Sequence, residues 1–440
     1  MKKQKYEEQE ACDRYDYLAT AFCGGMAGLI DILFVGAPGE SALGTFSDQA
    51  ADAAVKKFAS LTGWRPRPGK EDSVASAIGF LERNFSVNYD QRYSADVGNG
   101  FFMTTKNHHF KSLSHAPDPV GLFFSILDQF MHTASFVDHG QLIRIDTSDQ
   151  ESPLKGGNVL AKIFCGFCNW LGHIASDVAG SSGGRGNGLR GTGVPVPFME
   201  LFQFCDFGSL QVDKDRQSLA VVMTRVFQEG YDARFAGAMA VPVLIEELLI
   251  RAFWAFRRHY QNGYAWKECL PSTKHADLRL MLLVGNSVLC FFDLADATVR
   301  SGFGTNMVAF FLHLNYVAWV RLILLVLKEL VIRLGPKVRR TLDQFWQELL
   351  ASVKTENERR QLEAFYARMA AFDRNLDAMY RAYVAEIEQE YEACHQEIAA
   401  ALTGPQDQRL AHSVTLARQK GVQENKIIHS VDELNKLLGK

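Results

Sequence analysis

Histidine and aspartate residues occur in this chain at spacings that allow them to share a metal ion. His173 and Asp177 are four residues apart at the end of the apolar stretch 158–180, and on a helix this spacing places both side chains on one face. The segment 107–115 contains three histidines, of which His109 and His115 are the ligand candidates. Neutral imidazole and carboxylate are ligands that zinc and similar divalent ions accept.

A single acid, Asp31, lies in the apolar stretch 17–36 among small residues that let helices approach closely. A buried carboxylate there needs a partner. We therefore expect a divalent metal ion, with zinc as the first candidate, held by Asp31, His109, His115, His173 and Asp177. Asp31, His173 and Asp177 are the predicted catalytic residues, because a bound ion would lower the pKa of a water molecule and produce a nucleophile. The alternative for His173 and Asp177 is an ordinary hydrogen-bonded pair.

A glycine-rich segment, SSGGRGNGLRGTG at 181–193, follows directly. Its backbone N–H groups and two arginines suit a phosphate group, so Ser181, Arg185 and Arg190 are the predicted substrate-binding residues. The segment does not match the Walker pattern, which argues against a nucleotide-binding fold. The alternative is a flexible connection without a binding role.

Three of these sites together resemble a known family. The residues are Gly28 to Asp31, Ser114-His115, and Gly172-His173 followed by Asp177. Their arrangement resembles that of the bacterial inner-membrane metal-dependent hydrolases, whose ligand pattern is similar to that of the zinc-dependent phospholipase C class. The resemblance implies a membrane-associated hydrolase, although Leu33 stands where the family has a second acid.

Five apolar stretches approach the length that crosses a bilayer, about 20 residues. They are 17–36, 158–180, 236–256, 278–299 and 307–334, and each contains ionisable residues. Such residues face a partner or a cavity when they lie in a membrane. We expect a bundle in the cell inner membrane with a cytoplasmic C-terminal region, and the alternative is a cytoplasmic helical protein. The net charge of −3 excludes a broad basic surface for nucleic acid.

The apolar spacing predicts an all-α multi-helix bundle with one short strand, QLIRID at 141–146. A helical body, residues 1–335, precedes a long amphipathic or coiled-coil segment, 336–403, and a polar tail, 404–440. The long segment either lies against the body or assembles a homo-oligomer.

The predicted function is hydrolysis of a phosphoester or lipid-like substrate by a membrane-associated, metal-dependent enzyme. The alternatives are a non-enzymatic oligomeric membrane channel or effector, and a helical scaffold assembled through the C-terminal seam. The enzyme hypothesis depends on the convergence of stretches that are far apart in the chain.

Overall fold

The fold is an all-α bundle, as the sequence predicts. The computed structural model describes residues 12–69, 71–90, 103–104, 106–148, 154–156, 159–180, 193–335, 344, 347, 356–403, 405–419, 422 and 424–437. In this part of the chain, two short antiparallel hairpins accompany the helices.

The helices range in length from 4 to 47 residues. Their bounds are α1 (Arg14–Ile30), α2 (Ala42–Leu61), α3 (Val74–Asn84), α4 (His108–Lys111), α5 (Pro119–Met131), α6 (Val159–Val178), α7 (Leu219–Gln228), α8 (Ala233–Tyr260), α9 (Ala276–Arg300), α10 (Met307–His313), α11 (Tyr316–Leu334), α12 (Glu356–Leu402), α13 (Gln406–Gln419) and α14 (Val431–Leu437). A wider π-helical turn, Asp31–Val35, continues α1.

One half of the molecule is a bundle of α1, α8, α9 and α11. Glycines let α1 and α9 approach closely, because a Cβ atom on Gly24 would lie 2.4 Å from the carbonyl oxygen of Gly285. A Cβ atom on Gly28 would lie 2.6 Å from the Cβ atom of Phe292. The small residues of the first apolar stretch therefore act as expected, as a helix contact surface.

Two helical segments of the described chain, Arg14–Val35 and Ala276–Arg300, are long and apolar enough to cross a membrane. The helices Met307–His313 and Tyr316–Leu334 meet at 73° and could form a third, broken span. The other two apolar stretches, now α6 and α8, do not qualify by length and composition. Large apolar side chains cover the outer face of the bundle, including Leu18, Phe22, Leu29, Leu33, Leu244, Leu248, Phe291, Val299, Ile323, Leu324 and Val331.

The other half packs α2, α3, α5 and α6 beside a hairpin. The predicted strand is β2 (Gln141–Asp146), which pairs with β1 (Thr133–Asp138). Strand β1 was not predicted, because nearly all of its residues are buried and no alternation of apolar and polar side chains marks it. A second hairpin joins β3 (Leu210–Val212) and β4 (Asp215–Gln217).

The long C-terminal helix α12 begins on the body. Phe365, Met369 and Phe372 pack into an apolar cluster that includes Phe124 and Phe204, so this part follows the alternative in which the helix lies against the body. Further along, the side chains of Tyr391, Ile398 and Leu402 are exposed, and α13 packs back against α12. Assembly of subunits through this helix stays a prediction.

Candidate metal centre

Four histidines and two aspartates form a buried cluster that could hold a metal ion. One group of possible ligands is Asp90, His108, His109 and His115, and the other is His115, His173 and Asp177. Within each group the ligand atoms lie within 4.8 Å of one another. The four histidines are at most 2% exposed. The structure therefore brings together four of the five predicted ligands and adds Asp90 and His108.

Two of the three distances within the second group match those between ligands of one tetrahedral ion, and the third, from His115 Nε2 to Asp177 Oδ2, is longer at 3.9 Å. The Nε2 atoms of His115 and His173 are 3.3 Å apart, and His173 Nε2 lies 3.2 Å from Asp177 Oδ2. Ligand atoms about 2.0–2.1 Å from a tetrahedral zinc ion lie about 3.3 Å from one another. His109 Nε2 lies 3.5 Å from Asp177 Oδ2, so His109 borders the same point.

Helix α6 presents His173 and Asp177 together near its C-terminal end, as their spacing predicts. The preceding residue must be glycine, because a Cβ atom on Gly172 would lie 2.1 Å from the Phe85 ring. This close packing on Phe85, the C-cap residue of α3, fixes the depth of α6. The positions of His173 and Asp177 therefore depend on the contact between Gly172 and Phe85.

The short helix α4 and the 3₁₀ turn Leu113–His115 present the other histidines. The Nδ1–H group of His109 donates to the carbonyl oxygen of Gly193 at 3.0 Å. This bond leaves the lone pair on Nε2, which faces Asp177. A backbone carbonyl that orients a histidine in this way is typical of metal sites.

Asp128 on α5 fixes the segment that carries His115. Its carboxylate accepts hydrogen bonds from the hydroxyls of Ser114 (2.6 Å), Ser135 (2.7 Å) and Thr133 (2.8 Å). Burial raises the pKa of Asp128 to about 6, and the hydrogen bonds oppose that rise. Asp128 thus acts on the cluster through Ser114, the neighbour of His115.

Asp90 enters the cluster from a turn after α3, and no periodic pattern of residues marks it. Asn88 holds this turn by donating to the carbonyl oxygens of Asp128 and Thr133, both at 2.9 Å. Tyr89 is fully buried, bonds Ser125 at 2.8 Å and lies edge-on to the His115 ring. The Oδ1 atom of Asp90 then lies 3.5 Å from His108 Nε2.

The electrostatics favour neutral imidazole at the centre of the cluster. Burial, followed by the neighbouring rings of His109, His173 and His108, lowers the pKa of His115 well below its usual value. Neutral imidazole is the form that binds metal. The Nδ1 atoms of His115 and His173, on the far side of each ring from the Nε2 contacts, are buried without a hydrogen-bond partner in the described part of the chain.

Comparison with known proteins finds no match. No family model, no curated protein and no solved structure matches the chain. The resemblance to metal-dependent hydrolases therefore stays a prediction, and an assignment depends on the geometry of the cluster.

The structure corrects the predicted ligand set at Asp31. Asn315 Nδ2 donates to Asp31 Oδ1 at 2.6 Å, and the Asn315 backbone N–H donates to Asp293 at 2.8 Å. Trp319 Nε1 also donates to Asp293, at 2.7 Å. Asp31 belongs to neither group of possible metal ligands among the described residues. Its partner is this network inside the bundle, because α1 packs against α9 and α8.

Other predicted sites have separate outcomes. Ser181, Arg185 and Arg190 lie outside the described residues. The acids of the bundle do not gather into a second metal site in the described chain, because Glu246 accepts a hydrogen bond from Asn286 and Asp296 pairs with Arg300.

Proposed function

We propose that this protein is a membrane-associated, metal-dependent hydrolase of a phosphoester or lipid-like substrate. One observation carries the proposal. The buried Nε2 atoms of His115 and His173 lie 3.3 Å apart, and His173 Nε2 lies 3.2 Å from a carboxylate oxygen of Asp177. Two imidazoles and one carboxylate are the ligand set of a catalytic zinc ion, which keeps another position open for water.

The residues have distinct roles in this proposal. His115, His173 and Asp177 hold a divalent ion, with zinc as the first candidate, and the ion lowers the pKa of a bound water toward neutrality. His109, oriented by its bond to Gly193, faces the Asp177 carboxylate. Asp31 has no role at this centre, because Asn315 engages it inside the bundle.

The outer face of the bundle supports the membrane part of the proposal. Monomeric soluble proteins rarely expose a large contiguous apolar area, yet α1, α8, α9 and α11 all present large apolar side chains outward. At one end of the bundle Arg257 pairs with Asp13, and Arg258 pairs with Asp277. Asp13 and Asp31 are separated by about 27 Å of helix, close to the thickness of a hydrocarbon core, about 30 Å. The proposed location is the cell inner membrane, with α12 in the cytoplasm.

A location at the membrane favours lipid-like phosphoesters as substrates. The glycine-rich segment 181–192 directly follows the α6 end that carries Asp177. In this proposal Arg185 and Arg190 neutralise the phosphate, since a guanidinium group binds phosphate in a bidentate manner.

Two matched aspartate variants test the function. Asp177→Asn changes a buried carboxylate of the cluster, and Asp31→Asn changes a buried carboxylate of the bundle. We expect Asp177→Asn to lose bound zinc and at least about 100-fold of the hydrolysis rate, because a catalytic metal ligand is lost. Asp31→Asn should keep both. The measurements are metal content by mass spectrometry and hydrolysis of bis(p-nitrophenyl) phosphate and a short-chain phospholipid, all in detergent.

Two results would contradict the enzyme proposal. One is wild-type protein that binds no zinc, manganese or cobalt ion after dialysis against each metal. The other is folded Asp177→Asn protein that hydrolyses these substrates as fast as the wild type. Metal-free protein that conducts ions in liposomes would instead support the channel.

A further inference from the structure

We propose that the cluster holds two divalent ions side by side, and that a phosphoester anion binds across them. This inference rests on the proposed function, because it concerns the same site. It differs in adding the donors around Asp90 as a second binding position.

The cluster contains more donor groups than one metal ion needs. A catalytic zinc ion uses three protein ligands, whereas this cluster contains six buried or half-buried candidates. They divide into two sets of the same composition, each with two imidazoles and one carboxylate. One set is His115, His173 and Asp177, and the other is Asp90, His108 and His109, with His115 also within reach of the second set.

The two sets adjoin one another. His115 Nε2 lies 3.9 Å from Asp90 Oδ1 and also 3.9 Å from Asp177 Oδ2. His109 Nε2, a member of the other set, lies 3.5 Å from Asp177 Oδ2. The Asp177 carboxylate therefore borders both sets and is placed to bridge two ions. Paired metal sites hold their ions about 3.5–4 Å apart. The distances between donor atoms of the two sets are compatible with ions at that separation.

Charge identifies the class of substrate. The two carboxylates of the cluster supply two negative charges, so one divalent ion would leave the centre neutral. Two ions would give it a net charge of about +2, which favours an anion in a buried site. Paired ions stabilise the attacking and leaving oxygens of a phosphoryl displacement. A phosphoester fits this centre better than a neutral ester or amide.

Metal counting on the full-length protein in detergent tests the inference. After equilibration with Mn²⁺ and removal of free metal, mass spectrometry should find two ions per chain in the wild type. Asp90→Asn and His108→Gln should each retain one ion, because the other set remains intact. The control His139→Ala, an exposed histidine outside the cluster, should retain two. Thermal unfolding in detergent identifies any variant that fails to fold.

Electron paramagnetic resonance of the Mn²⁺-loaded wild type tests whether the ions are adjacent. Exchange coupling between two Mn²⁺ ions is expected, and its loss is expected in folded Asp90→Asn and His108→Gln. One ion per wild-type chain would overturn the two-ion centre and leave the proposed function standing. Two uncoupled ions would also overturn it, and no bound ion would overturn the proposed function as well.

Discussion

Three buried carboxyl groups have different neighbours and therefore different properties. Asp177 borders imidazoles, while Asp31 accepts a hydrogen bond from Asn315. Glu200 is fully buried, and its carboxyl group lies beside that of Asp118. Burial, and next the nearby carboxylate of Asp118, raise the pKa of Glu200 to about 9. Glu200 is therefore neutral at pH 7, since burial disfavours its charged form.

Glu200→Gln should remove a pH dependence of stability. The folded-state pKa of Glu200, about 9, lies above the free side-chain value of 4.5, so folding favours the protonated form. This contribution to the free energy of unfolding is fully present below about pH 4.5 and is lost as the pH rises toward 9. Glutamine does not titrate, so the variant does not lose this stability as the pH rises. The melting temperature of the variant, measured by circular dichroism relative to that of the wild type, should therefore rise by several degrees from about pH 5 to about pH 8.5.

The control for this experiment is Glu229→Gln, since Glu229 is exposed. Its melting temperature should follow that of the wild type across the same range. A constant difference between Glu200→Gln and the wild type at both pH values would show that Glu200 is not protonated in the folded state.

Helix α6 shows how a single element sets the geometry of the centre. It presents two ligand candidates one turn apart, and its depth depends on the contact between Gly172 and Phe85. A second glycine of the same helix, Gly166, has more room, because a Cβ atom there would come no closer than 3.5 Å to another atom. An added methyl group would therefore clash at Gly172 and would fit at Gly166.

Gly172→Ala should destabilise the protein and weaken metal binding together. The added methyl group meets the Phe85 ring and pushes α6 outward, and overpacking of this kind costs about 1–3 kcal/mol. Because His173 moves with the helix, Zn²⁺ affinity should fall about tenfold or more. Chemical denaturation and a competition titration with a zinc-binding dye measure the two effects.

Gly166→Ala is the matched control for that variant. Alanine favours a helix interior over glycine by about 1 kcal/mol, so this variant should be as stable as the wild type or more stable, with unchanged Zn²⁺ affinity. If Gly172→Ala behaved in the same way, the contact with Phe85 would not determine the depth of α6.

At the scale of the whole molecule, the outer surface of the helix bundle is apolar and must be covered by either water or lipid. The outward stripe of α1 and its π-helical continuation includes Leu18, Phe22, Leu29 and Leu33, while Phe46 is a comparably exposed phenylalanine on α2, outside the candidate spans. A bilayer would cover the stripe on α1. Ion pairs such as Arg257 with Asp13 would lie at the bilayer surface, at the end of the bundle.

Phe22→Lys should lower the amount of protein in the membrane fraction, and Phe46→Lys should not. The two side chains are 69% and 65% exposed, but only Phe22 lies near the middle of a candidate span. A lysine at that depth costs about 2.5–3.5 kcal/mol of insertion free energy. Carbonate-resistant membrane protein, quantified by immunoblot, is the measurement. Equal amounts for both variants would argue against a lipid-covered α1.

The sequence by itself determined the features that depend on local spacing. Apolar periodicity predicted an all-α bundle and the strand Gln141–Asp146, and the separation of four residues placed His173 and Asp177 on one face. Local rules suffice there, because the helical repeat fixes which neighbours share a surface.

Only the tertiary structure decided which distant segments meet. It brought Asp90 and His108 to the centre and kept Asp31 away from it, although all three precede α6 by more than 50 residues. The physical reason lies in contact surfaces that no spacing rule describes. Gly24 lets α1 pack onto Gly285 of α9, and that packing commits Asp31 to the bundle, where Asn315 binds it.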